Sequence, residues 1–275
     1  MIKQCARVIR SEIRAGRFCG PTSGLAAGYV QANIALVPAA YADEFATFCA
    51  RNGRACALLH RSEPGEYLLS ALGEGIDIRT DVPRYLVHRA GKAAEEVTDV
   101  RNLFRDDLVT FALGCSFSFE EALIGAGLEV RNIAEGRNVP MYRTNRACEP
   151  AGRFHGNLVV SMRPFSGEAV DRACEISGRY PLVHGAPVYA GDPAALGISD
   201  ISAPEFGEAV TIHPDEVPAF WACGVTAIEA LRNGGLDFCI THAPGHMLIT
   251  DRLNSELESV TDIQALNWCQ VEMGR

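Results

Sequence analysis

Residues 135–164 read EGRNVPMYRTNRACEPAGRFHGNLVVSMRP, and the rest of the chain is arranged around the way this stretch folds. It contains five arginines, three prolines and three glycines. Proline fixes φ and lacks an amide donor, and glycine makes order costly, so this density interrupts any long regular element. Residues 135–156 therefore read as a shaped loop, or a short strand within loops. The stretch then runs into LVVSM at 158–162, which has the composition of a buried strand. A polar segment of fixed shape entering a rigid strand is a common way to present chemistry. A surface loop with solvated arginines fits the same composition.

Upstream of this stretch, residues 3–15 suggest an amphipathic helix and 17–28 a Gly-rich loop. Residues 29–37 have strand composition. Tyr41, Phe45, Phe48 and Cys49 recur at helical spacing, and 55–59 form a short apolar run. This alternation of strand and helix favours an α/β layer. Residues 62–99 change character, with a hairpin predicted around Gly91. Val100, Leu103, Phe104, Leu108 and Phe111 predict a helix over 100–113, and Ser118 with Glu121 reads as a capping box opening the next one. Downstream, strands are predicted at 217–223, 236–240 and 247–250. A helix is predicted at 168–178, and another opens at a second capping box, Thr226 with Glu229. No internal repeat is evident. The expected fold class is α/β, a mixed-sheet α/β sandwich domain with a second, smaller α+β domain. Residues 1–61 and 151–275 would form the discontinuous larger domain and 62–150 the insertion, with the active cleft between them.

Composition narrows the function. The chain has 275 residues, a formal net charge of -9 and no basic block, which disfavours nucleic acid but leaves room for a small anionic partner at a local arginine cluster. No apolar run approaches the ~18 residues of a membrane span. The N-terminus lacks a signal-peptide core, and its arginines suit an ordinary first helix. Ten cysteines occur without a C-x-x-C pair, so a zinc ribbon is disfavoured, and reduced thiols in a cytoplasmic protein are expected. A homodimer is compatible with the sequence. No nucleotide-binding fingerprint is present, and no cofactor is predicted. A divalent metal is left open only through His242, His246 and Asp251, because Pro244 and Gly245 prevent the two histidines from sharing a helix face. Cys223-Gly224 follows a strand and precedes a helix, where free amides could meet an anion and lower the thiol pKa, although a small core cysteine is the favoured reading. His184 and Asp192 flank a turn-rich loop and could form an acid/base pair, or Asp192 could simply cap a turn at Pro193.

Seven strings occur in order: GYVQANIALVP (28–38), GCSFSFEEAL (114–123), EGRNVPMYRTN (135–145), GNLVVSMRP (156–164), HGAPVYAGDPAALGI (184–198), VPAFWACGVT (217–226) and THAPGHMLITD (241–251). Together they closely resemble the bacterial D-glutamate cyclase family, whose members also carry a hydro-lyase label. Tyr189 departs from the pattern, standing where many relatives carry a second His, and the tail after Asp251 does not look like the family. The resemblance implies cyclisation of D-glutamate to 5-oxo-D-proline with loss of water. The alternatives are dehydration of another hydroxy acid, or non-catalytic binding of a small carboxylate. Ring closure needs a base for the amine, charge neutralisation at the γ-carboxylate, an oxyanion site and an acid for the departing hydroxyl. Chemistry alone nominates Arg137, Arg143 and Arg163 for the carboxylates, because a guanidinium grips a carboxylate at two points. Glu135, His184 and His242 are acid or base candidates. Tyr142, Asn138 and the backbone at Cys223-Gly224 are candidates for the oxyanion.

Overall fold

A computed structural model describes residues 5–90 and 94–259. The turn expected at Gly91 and most of the divergent tail, from residue 260, lie outside the described residues. Helix α1 (Ala6–Arg14) leads to strand β1 (Tyr29–Pro38), and helix α2 (Ala39–Arg51) follows directly, since Pro38 ends the ladder and suits a helix start. Next come β2 (Leu58–Arg61), β3 (Tyr85–Arg89), β4 (Glu95–Val97) and β5 (Leu108–Gly114), followed by helices α3 (Phe117–Gly125) and α4 (Arg131–Ala134). Strands β6 (Met141–Ala147) and β7 (Asn157–Ser166) hold the opening stretch. Helix α5 (Gly167–Gly178), β8 (Tyr189–Ala190), β9 (Glu216–Ala222), α6 (Val225–Asn233), β10 (Phe238–His242) and β11 (Leu248–Leu253) complete the order.

The strands form two sheets. One runs β2-β5-β1-β10-β3-β4, with β11 also pairing β1, and the other runs β6-β7-β9-β8. The α/β class stands, with helices covering both sheets, but every ladder between named strands is antiparallel instead of mixed. Residues 62–150 share both sheets with the rest of the chain: β5 lies between β2 and β1, β3 extends the first sheet from β10, and β6 edges the second. A separate layer for this segment is therefore not seen. Part of the predicted helix at 100–113 is strand β5, buried along its whole length between two neighbours. A strand covered on both faces is apolar at every position, and such a run contains helix-spaced residues by default.

A duplication links the two sheets, although the sequence shows no obvious repeat. GCSFSFEEAL (114–123) and ACGVTAIEAL (222–231) occupy equivalent strand-to-helix turns. Asn33 pairs Leu113 across β1 and β5, and Ser161 pairs Trp221 across β7 and β9. Ser118 Oγ accepts from the Gln31 amide at 3.0 Å, and Thr226 Oγ1 accepts from the Val159 amide at 3.0 Å. Neither hydroxyl caps its own helix as the sequence suggested, because each is used by the neighbouring strand. One unit is β1-α2, then β5-α3, then β6; the other is β7-α5, then β9-α6, then β10. The units exchange their last strands, since β6 pairs β7 and β10 pairs β1. Their crossing turns meet at a shared apolar cluster containing Cys115, Met141, Cys223 and Met247.

Candidate active site

The two copies differ at one pair of facing buried positions. Arg163 of β7 and Glu120 of α3 are buried together, and the equivalent positions of the other copies are Ala35 and Ile228. Along β7, Val160 and Met162 enter one core while Ser161, Arg163 and Phe165 point to the opposite face, the period-2 alternation of a strand. On α3, Phe117, Glu120 and Leu123 share the buried face at helical spacing. The fold thus aims an acid and a base at each other from two rigid elements.

Arg163 Nε and Nη2 both donate to Glu120 Oε1, at 3.1 and 2.5 Å. Nη1 donates to Ser161 Oγ at 3.1 Å and Nη2 to Ser116 Oγ at 2.9 Å. The guanidinium lies 5.4 Å from the rings of both Phe119 and Trp221. The side chains of Arg163 and Glu120 are 1% and 2% exposed. Burial holds the Glu120 carboxyl above the usual carboxylate range, against the pull of Arg163. Outward from the pair, Ser23 Oγ donates to Glu120 Oε2 at 3.4 Å and Asn132 Nδ2 donates to Ser23 Oγ at 3.3 Å. Asn132 Oδ1 and Gln31 Oε1 are buried acceptors with no donor among the described residues.

His184 is buried beside this cluster. Its Nδ1 lies 2.7 Å from Arg54 O, and a carbonyl can only accept, so Nδ1 carries the proton and Nε2 the lone pair. Its φ of 84° is unusual for a side-chain-bearing residue, so its surroundings hold it in place. Burial pushes its pKa down to about 4, aided by the charges of Arg163 and Arg54, and it is neutral near pH 7. The turn at Cys223-Gly224 is nearby, but burial pushes the Cys223 thiol up to about 11. Its Sγ packs 3.5 Å from Met141 Sδ, so Cys223 is the small core residue and not an activated thiol. A Cβ on Gly224 would fall 2.2 Å from Asn33 Nδ2, which shows how tightly the turn is filled.

The other nominated residues lie elsewhere. Arg137 is exposed, donates to Ala209 O and pairs with Glu135 at 3.5 Å; Glu135 in turn accepts from the Thr211 amide. Asn138 donates to Pro244 O and, through its amide, to Glu208. Tyr142 is buried with its hydroxyl donating to Ile201 O at 2.6 Å, and burial pushes its pKa up. Arg143 pairs with Glu229 at 2.6 Å and stacks over Phe206, which braces the segment around residue 206. His242 faces Ile34 of β1, His246 lies 3.0 Å from Pro244 O, and Asp251 pairs with Arg10 at 2.7 Å, so the three weak metal candidates are held apart. Among the described residues no cluster of three or more His, Cys, Asp or Glu is arranged to hold a metal. Asp192 caps the turn at Pro193 by accepting from the Ala194 amide. The structure therefore joins Arg163, His184 and Cys223-Gly224. It adds Glu120, Ser116, Ser161, Ser23 and Asn132, which the sequence reading missed. The signal for Glu120 was present: a carboxylate between Phe117 and Leu123 on an apolar helix face needs a partner.

Two buried histidines make stability depend on pH. His184 and His242 both have folded pKa values of about 4 against an ordinary 6.5. Between those values the unfolded chain binds more protons, so their contribution is complete above about pH 6.5 and is lost as pH falls toward 4. The expected loss from pH 7.5 to pH 5 is about 2 kcal/mol per imidazole. Glu120, raised in the folded state, acts in the opposite direction, so the effect is read from urea unfolding of the parent beside His242→Asn. A variant with the same acid loss as the parent would contradict the assignment for His242.

The profile of the D-glutamate cyclase family matches residues 109–251, a segment that contains both crossing turns and the whole Arg163–Glu120 pair. A provisionally named hydro-lyase of Bordetella petrii is 57% identical over 248 residues, covering 90% of this chain and 94% of that relative. The chain belongs to the D-glutamate cyclase family. A hydro-lyase of Rubrobacter xylanophilus, also provisionally named, is 52% identical over 249 residues, covering 90% of this chain and 96% of that relative. The crystal structure of a nitrogen repressor-like protein from Methanococcus jannaschii covers 91% of this chain and 99% of that one, at 8% identity and a TM-score of 0.34. Among the described residues of this cyclase-family chain, no helix is long and apolar enough to cross a membrane. Its relatives' names agree in placing it among the lyases.

Proposed function

We propose that this protein closes D-glutamate to 5-oxo-D-proline and water at the Arg163–Glu120 cluster. The observation that carries the reading is a buried Arg–Glu pair, flanked by two serine hydroxyls, at positions where the other copy has Ala35 and Ile228. The substrate's γ-carboxylate is a poor electrophile until its charge is neutralised. Arg163 supplies that charge, and Glu120, the carboxylate paired with it, takes a proton from the incoming ammonium and hands it to the γ-carboxylate. The amine nitrogen attacks the γ-carbon, a C–N bond forms, and the γ C–O bond breaks as the hydroxyl leaves as water with the proton that His184 has taken from the amine. Ser116 and Ser161 are placed to stabilise the oxyanion formed on the way. His184, neutral near pH 7 with its lone pair on Nε2, takes the amine proton. Asn132 Oδ1 and Gln31 Oε1 offer acceptors for the amine before it reacts. Since the reaction is intramolecular, folding the substrate is the larger part of the task.

The test is incubation with D- and L-glutamate and a panel of hydroxy diacids, with chiral separation of 5-oxoproline. Turnover of D-glutamate is expected. Turnover of a hydroxy diacid alone would instead make the protein a dehydratase. Tight calorimetric binding without any product would make it a carboxylate-binding protein. We place the protein in the cytoplasm, as a chain whose described cysteines are all free.

A further inference from the structure

The two copies differ at a second place. Asn33 on β1 is the counterpart of Ser161 on β7, and Gly224 is the counterpart of Ser116. On one side two serine hydroxyls accept from Arg163. On the other an asparagine lies on a glycine: a Cβ on Gly224 would fall 2.2 Å from Asn33 Nδ2 and 2.6 Å from its Oδ1. Gly224 has ordinary right-handed helical backbone, with φ -63° and ψ -16°, so its own conformation does not call for glycine. The Asn33 side chain does, because it fills the space a Cβ would take.

Asn33 is 4% exposed, and its Nδ2 donates to Gly114 O at 2.6 Å. Gly114 is where the segments that hold His184 meet. Its amide donates to Ala57 O at 2.8 Å, in the same short segment as Arg54, whose carbonyl accepts from His184 Nδ1. A Cβ on Gly114 would lie 1.9 Å from Leu182 O, so its Cα packs directly on the turn that ends at His184. Downstream, Ser116 Oγ accepts from Arg163 Nη2 at 2.9 Å. We infer that Asn33 is a positioning residue of this site: by holding Gly114 O and filling the space over Gly224, it sets the two crossing turns against each other and, through Gly114, fixes where His184 stands. The inference rests on the reading of His184 as the base. A neutral amide suits the task, since it donates to a carbonyl at any pH and adds no charge beside the Arg163–Glu120 pair.

The test is Asn33→Asp, which keeps the shape, followed by turnover of D-glutamate and by ¹⁵N NMR of the His184 ring, a readout that needs no substrate. Protonated, the introduced carboxyl donates to Gly114 O as the amide does. Ionised, it cannot donate and repels the carbonyl. Burial raises the pKa of such a group, so the bond is present at low pH and is lost as pH rises. The titratable groups around it, Cys115, Glu120, Arg163, His184, Cys223 and His242, are common to parent and variant, so each value is taken relative to the parent at the same pH. At pH 8.5 the variant should lose at least ~10-fold in kcat with KM little changed, because a displaced base impairs chemistry more than binding. The His184 ring nitrogens should shift with it, and both effects should fade at pH 5.5. Parent-like His184 shifts at pH 8.5 overturn the inference, whatever the turnover, and so does a fall in kcat that is equal at both pH values. Asn33→Ser combined with Gly224→Ser covers a single variant that fails to fold. It copies the serines of the other turn and refills the space, but a serine hydroxyl ends one bond short of the amide nitrogen. His184 should be displaced in it at every pH, and a folded double variant with a parent-like His184 spectrum overturns the inference as well. A parent that leaves D-glutamate unchanged refutes the proposed reaction, and the His184 spectra still decide the role of Asn33.

Discussion

Glu120→Gln should lower the free energy of unfolding by about 3–5 kcal/mol, the cost of leaving one member of a sealed ion pair without its partner. Arg163 is 1% exposed and directs both Nε and Nη2 at one carboxylate oxygen. The substituted amide would keep the shape but not the charge, and the buried guanidinium would be left without its counter-ion. Urea unfolding at pH 7.5 reads the effect directly. The companion variant is Glu120→Leu with Arg163→Met, which removes both charges and fills similar volume. Such replacements are often neutral or stabilising, so most of the lost stability should return. Activity separates structure from chemistry: the double variant should be folded and inactive toward D-glutamate. A double variant that is stable and still cyclises the substrate would remove this pair from the mechanism. A single variant that loses less than ~1 kcal/mol would show that the pair is not sealed.

The parts of this fold that can be read in the sequence are those governed by local rules. Strand β9 is visible because VPAFWAC is apolar, β-rich and followed by glycine, and helix α5 because its apolar positions repeat every three or four residues. Strand β5 is not, since LVTFALG has no polar face to break the helical pattern. The duplication is hidden because only Cys, Glu, Ala and Leu are shared between its ten-residue turns, and what they have in common is a hydrogen bond to the next strand. The site divides along the same line. Arg163 and His184 stand out because their chemistry is conspicuous. Glu120 does not, because Ser118 with Glu121 offers a local explanation for the same stretch, and its real partner lies 43 positions away. Arg143 and Arg137 mislead for the opposite reason. Both sit in the densest polar segment, and their partners, Glu229 and Ala209 O, are remote in sequence.

Gly114→Ala tests how closely the two halves of the site are fitted. Gly114 ends β5, and a Cβ there would lie 1.9 Å from Leu182 O and 3.1 Å from Val183 Cα. Both are backbone atoms of the short turn before His184, so no rotamer change relieves the clash. Either β5 moves, which its two neighbouring strands oppose, or the 181–184 turn is pushed away. Overpacking typically costs 1–3 kcal/mol, and a backbone-to-backbone clash belongs near the upper end, at about 3 kcal/mol. Displacement of the turn would also break the contact between His184 Nδ1 and Arg54 O, which fixes the tautomer with its lone pair on Nε2. Cyclisation should therefore fall even at temperatures where the variant remains folded. Gly125→Ala is the control, because nothing lies within 4 Å of a Cβ at that helix end. Alanine there should leave stability equal or raised by up to about 1 kcal/mol. If Gly114→Ala matches this control in both unfolding and turnover, the turn is not fitted against β5 and His184 is positioned by something other than this contact.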